Sequence, residues 1–360
     1  MSVIPAPRRA LVASLSALAL AVTPLAASAD TRGFPGRATL AETFQAGEVE
    51  NDRIPSAYVA GADWGLTVDT IYMLAATDGR PALVQRMGTV LAKNAHKYTS
   101  AFGESAGATA KVLLAAKVLG RSVRSFGGVD YRERLETFIV QSGDDAGRLS
   151  DRNGASDYSN TVTQSLGVIA FSRSGSAPQA VVSHLLEQQC AGGYFTLPMT
   201  TGKTCEQANK GPSVDATSYA IQAMLAAKRQ GEARVAERRI TRAVRWLVSA
   251  QRANGSFGSD AEITTPNANS TGLAALALTD AGRDGAAMAA ARFVSSLQIT
   301  RRNAAEARNV IGAIAPDRKD FKDARADGVN GEIARDRFRR ATSQGAFAFA
   351  PEPLRILSAS

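Results

Sequence analysis

Carboxylates and aromatic side chains recur near the starts of the apolar helices that this sequence predicts, and these groups are the best suited to chemistry. Asp63, Asp69, Asp157 and Asp215 all lie near such starts. Two carboxylates on a concave surface are enough to cleave a glycosidic bond. Aromatic rings and amides beside carboxylates suit equally well the binding of a planar or polyhydroxylated molecule. The candidate ligand-binding residues are Trp64, Asp69, Tyr72, Asp157, Tyr158, Asp215, Tyr219 and Asn269.

Each candidate also has an ordinary structural explanation. Asp157, Asp215 and Asn269 belong to the residue types that cap or begin helices. Tyr72 and Tyr219 suit the packed interior of a helical barrel. The sequence therefore predicts where a ligand-binding site would lie, at the starts of these helices, but it does not identify a catalytic residue.

The helices that would position these residues come in two recurring kinds. The first kind is apolar on nearly every side and begins near a threonine, as in Thr217-Ser-Tyr-Ala-Ile-Gln-Ala-Met. A helix that is apolar all round is buried on all sides. We therefore interpret these segments as the inner helices of a repeat. The repeat threonines are Thr67, Thr109, Thr163, Thr217, Thr271 and Thr342.

The second kind of helix is amphipathic and ends in a turn built from glutamine, glycine and an aromatic residue. Trp246-Leu-x3-Gln251-x3-Gly255-Ser-Phe257 is the clearest copy. The segment that ends in Gln189, Gly193 and Phe195 repeats it, whereas Gln298 follows a similar helix without the glycine turn. Gln141 and Asn94 occupy the matching place in weaker copies. Charged faces mark these helices as outer ones, and residues 37–47 are the candidate for a sixth.

Alternating inner and outer helices predict an all-α protein, an α6/α6 toroid of helical-hairpin repeats, because each hairpin buries its apolar face only against its neighbours. We expect one toroid domain over residues 30–360, with a loop insertion near 190–210 and an irregular segment near 299–333. The six inner helices would run parallel, so their N-termini would meet at one mouth. Their dipoles favour anionic groups there.

The repeat resembles the QW motif of terpene cyclases, with Phe257 where Trp is usual. The helix that contains Asp215 and Thr217 is similar to inner helices of protein prenyltransferase β subunits and of the cobalamin carriers. The resemblance spans roughly residues 60–350 and implies the α/α toroid as the fold.

The catalytic groups of those families are absent from the sequence. It contains no Asp-x-Asp-Asp motif, which class II terpene cyclases use to protonate substrate. Its only histidines, His96 and His184, fall on outer helices where we expect them to be exposed, and its cysteines are expected to be oxidised. A zinc site is therefore not expected.

Residues 1–29 read as a signal peptide, with Arg8 and Arg9 before an apolar run and Ala27-Ser-Ala29 as the cleavage site. The alternative is a membrane anchor, for which the run is short. Export predicts that Cys190 and Cys205 form a disulfide, rather than remaining two thiols. No transmembrane segment is expected after cleavage.

The basic excess falls from nine to seven once Arg8 and Arg9 are removed. It indicates either solvated outer-helix faces or attraction to an anionic cell surface. The basic stretches lack interleaved aromatic residues, so nucleic acid is not an expected partner.

The leading functional hypothesis from sequence is a secreted, non-catalytic toroid that binds a bulky small molecule, with a corrinoid as first guess and no other cofactor. One alternative is an enzyme in the same barrel, either cyclase-like or acting on glycans through cavity carboxylates. Another is a protein-interaction module whose barrel is filled by side chains.

Overall fold

A computed structural model describes residues 34–202, 205–208 and 210–359, so the segment read as a signal peptide lies outside the described residues. The described chain is helical, with isolated bridges in place of strands. Its helices are α1 Pro35–Gly47, α2 Trp64–Thr77, α3 Pro81–Asn94, α4 His96–Thr99, α5 Ala106–Val118, α6 Tyr131–Glu136, α7 Thr161–Arg173, α8 Gln179–Glu187, α9 Cys205–Ala208, α10 Val214–Arg229, α11 Glu237–Ala250, α12 Ala268–Asp280, α13 Asp284–Ser295, α14 Arg318–Asp327 and α15 Glu332–Gly345. Short 3-10 helices cover Ala307–Val310 and Ala346–Ala348.

Six of these helices form a closed inner ring. The helices α2, α5, α7, α10, α12 and α15 each pack against the next, and α15 packs against α2. The outer layer consists of α1, α3, α6, α8, α11 and α13, each packed against an inner helix. The prediction of an all-α toroid with six inner and six outer helices is confirmed.

The repeat threonines fix where the inner helices begin. The hydroxyl of Thr217 donates to the carbonyl of Ser213 at 2.7 Å and accepts the backbone N–H of Phe195 at 3.0 Å. Thr271 does the same with the carbonyl of Asn267 and the N–H of Phe257. One hydroxyl thus bonds to the carbonyl of the residue before its helix and satisfies the N–H of the aromatic turn, which ties the two together.

The repeat glutamines join each turn to the next outer helix. The side-chain amide of Gln251 donates to the carbonyl of Gly255 at 3.0 Å and to that of Ala286 in α13 at 2.8 Å. Gln298 donates in the same way to Gly312 and to Arg37 in α1. The helix α1 therefore takes the sixth outer position, against α2 and α15.

One sequence assignment in this repeat was wrong. The amide of Gln141 donates only to the carbonyl of Ile139, so it does not join neighbouring hairpins. Gln164 of α7 makes those contacts instead, to the carbonyls of Gly147 and Val181 at 2.9 Å each. At this repeat, the glutamine that bonds to the turn comes from the inner helix. The spacing of glutamines along the outer helices could not predict it.

Residues 299–333 are more regular than expected. They contain α14 and the 3-10 helix Ala307–Val310, and the carbonyl of Ile299 accepts the N–H of Gly312 while its N–H donates to the carbonyl of Ala313. Helix α15 also begins ten residues before its repeat threonine, Thr342, so its first turns extend beyond those of the other inner helices.

We expect Gly255→Ala to destabilise the fold much more than Gly231→Ala. Both glycines have the same left-handed backbone, with φ of 85° and 86°. A Cβ at Gly255 would lie 2.1 Å from the carbonyl oxygen of Ala289, whereas one at Gly231 meets nothing within 4 Å. The backbone cost is common to both, and overpacking adds about 1–3 kcal/mol at Gly255 alone. Urea unfolding of both variants measures the difference, and equal losses would contradict the argument.

The chain after α15 crosses the end of the ring where the other inner helices finish. The guanidinium of Arg173, the last residue of α7, donates to the carbonyl of Leu354 at 2.9 Å. Arg355 pairs with Asp280 of α12 at 2.7 Å, and the N–H of Ala359 donates to the carbonyl of Val118 in α5. With Leu357 fully buried, residues 350–359 cover this end of the barrel.

The seam between α15 and the N-terminal hairpin is ionic. Glu48, which follows α1, accepts hydrogen bonds from the guanidiniums of Arg335 and Arg339 at 2.7 Å each, and it is only 5% exposed. Arg340 of α15 pairs with Asp63, the residue that caps α2. Charges therefore link the last inner helix to the first hairpin.

The predicted disulfide between Cys190 and Cys205 is present, with a Cα–Cα distance of 5.1 Å. The expectation that His184 is exposed was wrong, since it is 1% exposed on α8 and burial lowers its pKa. In the part of the chain that the structure describes, none of the helices has the length and apolar character needed to cross a bilayer.

Candidate active site

The N-termini of the inner helices form the open end of the barrel. Side chains cap five of them, namely Asp63, Ser105, Asn160, Ser213 and Asn267. Short bridges join the loops at this end, for example from Ser213 to both Phe195 and Asp260. The open end is therefore a braced rim of helix starts and loops, which we call the mouth.

A cluster of polar and aromatic side chains from different inner helices lies at the mouth. The carboxylate of Asp69 in α2 pairs with the ammonium of Lys111 in α5 at 2.5 Å. The hydroxyl of Tyr72 donates to the carbonyl of Lys111 at 2.6 Å. Asp69, Lys111 and Tyr219 each lie two residues after a repeat threonine, so equivalent positions of three repeats converge.

The charges in this cluster influence one another. Burial alone would lower the pKa of Lys111, but the carboxylate of Asp69 and the phenols of Tyr98 and Tyr219 raise it above its ordinary value. Burial raises the pKa of Tyr219, and the nearby carboxylates of Asp69 and Asp215 raise it further. Lys111 is therefore a fixed cation and Tyr219 a fixed hydrogen-bonding phenol at neutral pH.

Asp215 is the carboxyl group at the mouth that is best placed to exchange a proton. It lies in the first turn of α10, one turn before Tyr219, and its Oδ2 accepts a hydrogen bond from Ser259 at 3.0 Å. Its Oδ1 is buried without a hydrogen-bond partner among the described residues. Burial raises the pKa of Asp215 to about 6, although the nearby hydroxyls of Ser270 and Ser259 oppose the shift.

Asn269 lies on the α12 side of the mouth and braces α15. Its side-chain amide donates to Gln344 at 2.9 Å and to the carbonyl of Arg340 at 3.2 Å. The guanidinium of Arg340 pairs with Asp63 and with Asp336, which is fully buried. These contacts hold the position of α15, and they leave the amide oxygen of Asn269 as its remaining polar atom.

Three predicted site residues lie apart from the cluster. Trp64 begins α2 and packs, half-buried, against the core. Asp157 lies in the loop before α7, where it accepts hydrogen bonds from Arg148 at 2.8 Å and Ser150 at 2.7 Å. Burial alone would raise the pKa of Asp157, but hydrogen bonds from Ser150 and Ser159 lower it, so Asp157 braces the loop. Its neighbour Tyr158 points outward and is 73% exposed.

Sequence reasoning missed Lys111, Tyr98 and Ser259. Lys111 left a signal, because it is a charged residue in an apolar helix at the repeat position that holds Asp69 and Tyr219 in two other repeats. Tyr98 comes from the short helix α4 and covers Gly65. Ser259 comes from a loop, and no spacing connects it to Asp215.

Two other places in the described residues fit a site less well. Cys190, Cys205 and Glu206 have potential metal ligands close together, but the two sulfurs are joined in the disulfide. A surface groove of about 740 Å³ lies outside the ring, between α1 and the start of α3. Its guanidiniums, Arg80 and Arg86, are neutralised by Glu42 and Asp52.

Comparison with solved structures supports the architecture. An unsaturated glucuronyl hydrolase from Bacillus sp. GL1 matches with a TM-score of 0.57 and 13% identity, covering 90% of this chain and 98% of that one. A protein from Actinoplanes matches with a TM-score of 0.58 and 17% identity, covering 89% and 98%. Haptocorrin in complex with Cbi matches with a TM-score of 0.51 and 15% identity, covering 90% of this chain and 68% of haptocorrin.

The chain is an α/α toroid. At these identities the likeness concerns the fold alone. No protein-family model matches the sequence, and no curated protein matches it either. The toroid is thus supported, whereas the resemblance to terpene cyclases and prenyltransferases extends only to the repeat.

Proposed function

We propose that this protein is a glycan-acting enzyme of the hydrolase type, with Asp215 as its proton donor. The observation that carries the proposal is a carboxyl group at the mouth of the toroid with a pKa raised to about 6. Such an acid holds a proton near neutral pH and can give it to a leaving oxygen. The glycosidases among the structures of the same fold agree with this choice.

Each residue at the mouth has a separate role in the proposed reaction. Asp215 donates its proton to the glycosidic oxygen as the bond from that oxygen to the anomeric carbon breaks. Water adds to the anomeric carbon and loses a proton, which restores the acid. Asp69, which pairs with Lys111, would stabilise through its carboxylate the positive charge that develops on the sugar ring. Tyr219, which is only partly buried, offers aromatic surface and a phenol for sugar binding, whereas Tyr72 lies in the core.

A non-catalytic binding toroid is the second candidate. It is favoured by the ion pairs of Asp69 with Lys111 and of Asp63 with Arg340, which neutralise two of the carboxylates at the mouth. The complex of haptocorrin with Cbi makes a corrinoid a reasonable probe for this candidate.

We further propose that the protein acts outside the cell. The disulfide suits an oxidising compartment, and the signal-like segment before residue 30 would direct export. The basic excess would favour an anionic cell surface as its surroundings.

The test is turnover by the chain from residue 30 onward, on chitin and cellulose oligosaccharides and on unsaturated glucuronyl disaccharides. We expect sugar release from at least one substrate, its loss in Asp215→Asn, and its retention in Asp284→Asn, which removes an exposed carboxylate on an outer helix. Thermal unfolding with the same sugars and with corrinoids separates the second candidate. Stabilisation by a corrinoid without any sugar turnover would replace the enzyme proposal with the binding one.

A further inference from the structure

Exposed apolar side chains concentrate at the mouth. Of the nine large hydrophobic residues that are exposed in the described chain, seven lie on loops or first turns that lead into inner helices. Each of the six inner helices is preceded by at least one, or carries it in its first turn. They include Tyr58, Phe102, Tyr158, Leu197, Ile263 and Ile333. Such a concentration on one face of a protein marks an interaction surface.

Two of these residues, Phe102 and Tyr158, lie on loops that are joined to each other by hydrogen bonds. Phe102 is 92% exposed and Tyr158 is 73% exposed. The loops that carry them are joined by a pair of backbone hydrogen bonds between Glu104 and Arg152, at 2.7 and 2.8 Å. Asp151 ties the second loop to the start of α5 by accepting the N–H of Ala106 at 2.8 Å. Hydrogen bonds therefore fix the backbones of both loops, whereas both rings remain exposed to solvent.

The second loop packs directly on the first, because Gly154 lies against the carbonyl of Phe102. Within the second loop, the backbone N–H of Tyr158 donates to the carboxylate of Asp151 at 3.3 Å, so the backbone that carries this ring is also fixed. The two rings therefore belong to one rigid surface, which we call the rim platform. It is formed by residues 101–105 and 151–158.

The charges around the rim platform are internally compensated. Glu104 pairs with Arg134, and Asp157 pairs with Arg148. The guanidinium of Arg152 donates to a neutral backbone carbonyl of the neighbouring loop, and Asp151 supplies the charge that balances it in number. An anionic membrane needs a cationic rim, and these pairs do not provide one. A neutral partner with flat apolar faces and many hydroxyl groups fits better, since the rings alternate with polar residues such as Asn153.

We propose that the rim platform is an outer binding site for a neutral polysaccharide chain, whose sugar rings stack on Phe102 and Tyr158 while the chain end reaches Asp215. This inference rests on the proposed function, because it extends the same mouth outward. It assigns a polymeric pyranose glycan as the substrate class. Tyr158 then acts through its exposed ring and takes no part in the chemistry.

The test compares polymer binding with turnover of a short substrate. Binding is measured by co-sedimentation with chitin and with cellulose, for wild type and for Phe102→Ala, Tyr158→Ala and the double variant. Val248→Ala is the matched control, because Val248 is an exposed apolar residue on α11, away from the mouth. We expect each ring variant to bind polymer about tenfold more weakly, as for other aromatic anchors. Hydrolysis of a disaccharide should be unchanged.

The results separate this inference from the proposed function. Weaker polymer binding by the ring variants, in a protein that hydrolyses nothing, would support the platform and reject the enzyme. Equal polymer binding by wild type and both ring variants, or no binding by wild type, would overturn the platform even if disaccharides are hydrolysed. The platform would also be overturned if wild type bound phosphatidylserine vesicles or associated with itself instead of binding polymer, and if the ring variants lost that activity.

Discussion

Replacing Asp215 by Asn should lower kcat/KM by about 10²–10⁴-fold, the usual contribution of a positioned general acid. The amide keeps the shape of the side chain and its contact with Ser259 but has no proton to give. The same variant should unfold at a urea concentration no lower than that of wild type at neutral pH, because the neutral amide removes a charge that burial disfavours. Asp284→Asn should match wild type in both measurements. A fully active Asp215→Asn variant would remove Asp215 from the mechanism.

The pH profile tests the role of Asp215 in a second way. Burial raises the pKa of Asp215 from 3.8 to about 6, so the protonated, active form declines as the pH rises above that value. We expect kcat/KM to fall along a limb centred near pH 6. Ser259→Ala removes a hydrogen bond that lowers this pKa, so the limb should move to higher pH. A shift to lower pH, or none, would contradict the assignment.

Replacing Glu48 by Gln should destabilise the protein by about 3–5 kcal/mol, the range found when one partner of a buried ion pair is removed. The variant removes the buried anionic partner of Arg339, which is 3% exposed, and leaves it only the exposed carboxylate of Glu332. Asp323→Asn removes an exposed pair with Lys319 and should cause no measurable change. Urea unfolding of the two variants gives the comparison, and similar values for both would show that the seam does not depend on charge.

The seam also predicts how stability depends on pH. Burial alone would raise the pKa of Glu48, but hydrogen bonds from Arg335 and Arg339 outweigh it and lower the pKa. A carboxyl group with a depressed pKa in the folded state stabilises the fold above its unfolded pKa. This contribution is lost as the pH falls through the lower, folded pKa. The difference in stability between wild type and Glu48→Gln should therefore shrink on acidification.

The repeat could be predicted from sequence because its contacts are local and occur several times. Thr217 and Thr271 make the same pair of hydrogen bonds, and Gln251 and Gln298 join successive hairpins in the same way. Gly312 performs the task of Gly255 but follows its glutamine after thirteen intervening residues. The insertion concealed the turn in the sequence, although the folded chain restores it.

The candidate site was predicted only in part, because its contacts depend on which repeats face each other. Asp69, Tyr72, Asp215 and Tyr219 are at the mouth, as the repeat positions implied. Their partners come from elsewhere, since an ion pair such as that of Asp69 with Lys111 crosses between helices. The ionic seam joins residues about 290 positions apart in the sequence, and no local sequence pattern predicts such a contact.

The segment after α15 has a consequence for the kind of product this protein would release. Because residues 350–359 cover the far end, a polymer could not thread through the ring, and a glycan would approach Asp215 from the mouth. With Asp215 as the proposed proton donor, we therefore expect the terminus of a chain to be the part that reaches it. Cleavage would then remove sugars from chain ends one at a time, and each released sugar would leave by the mouth before the shortened chain advances.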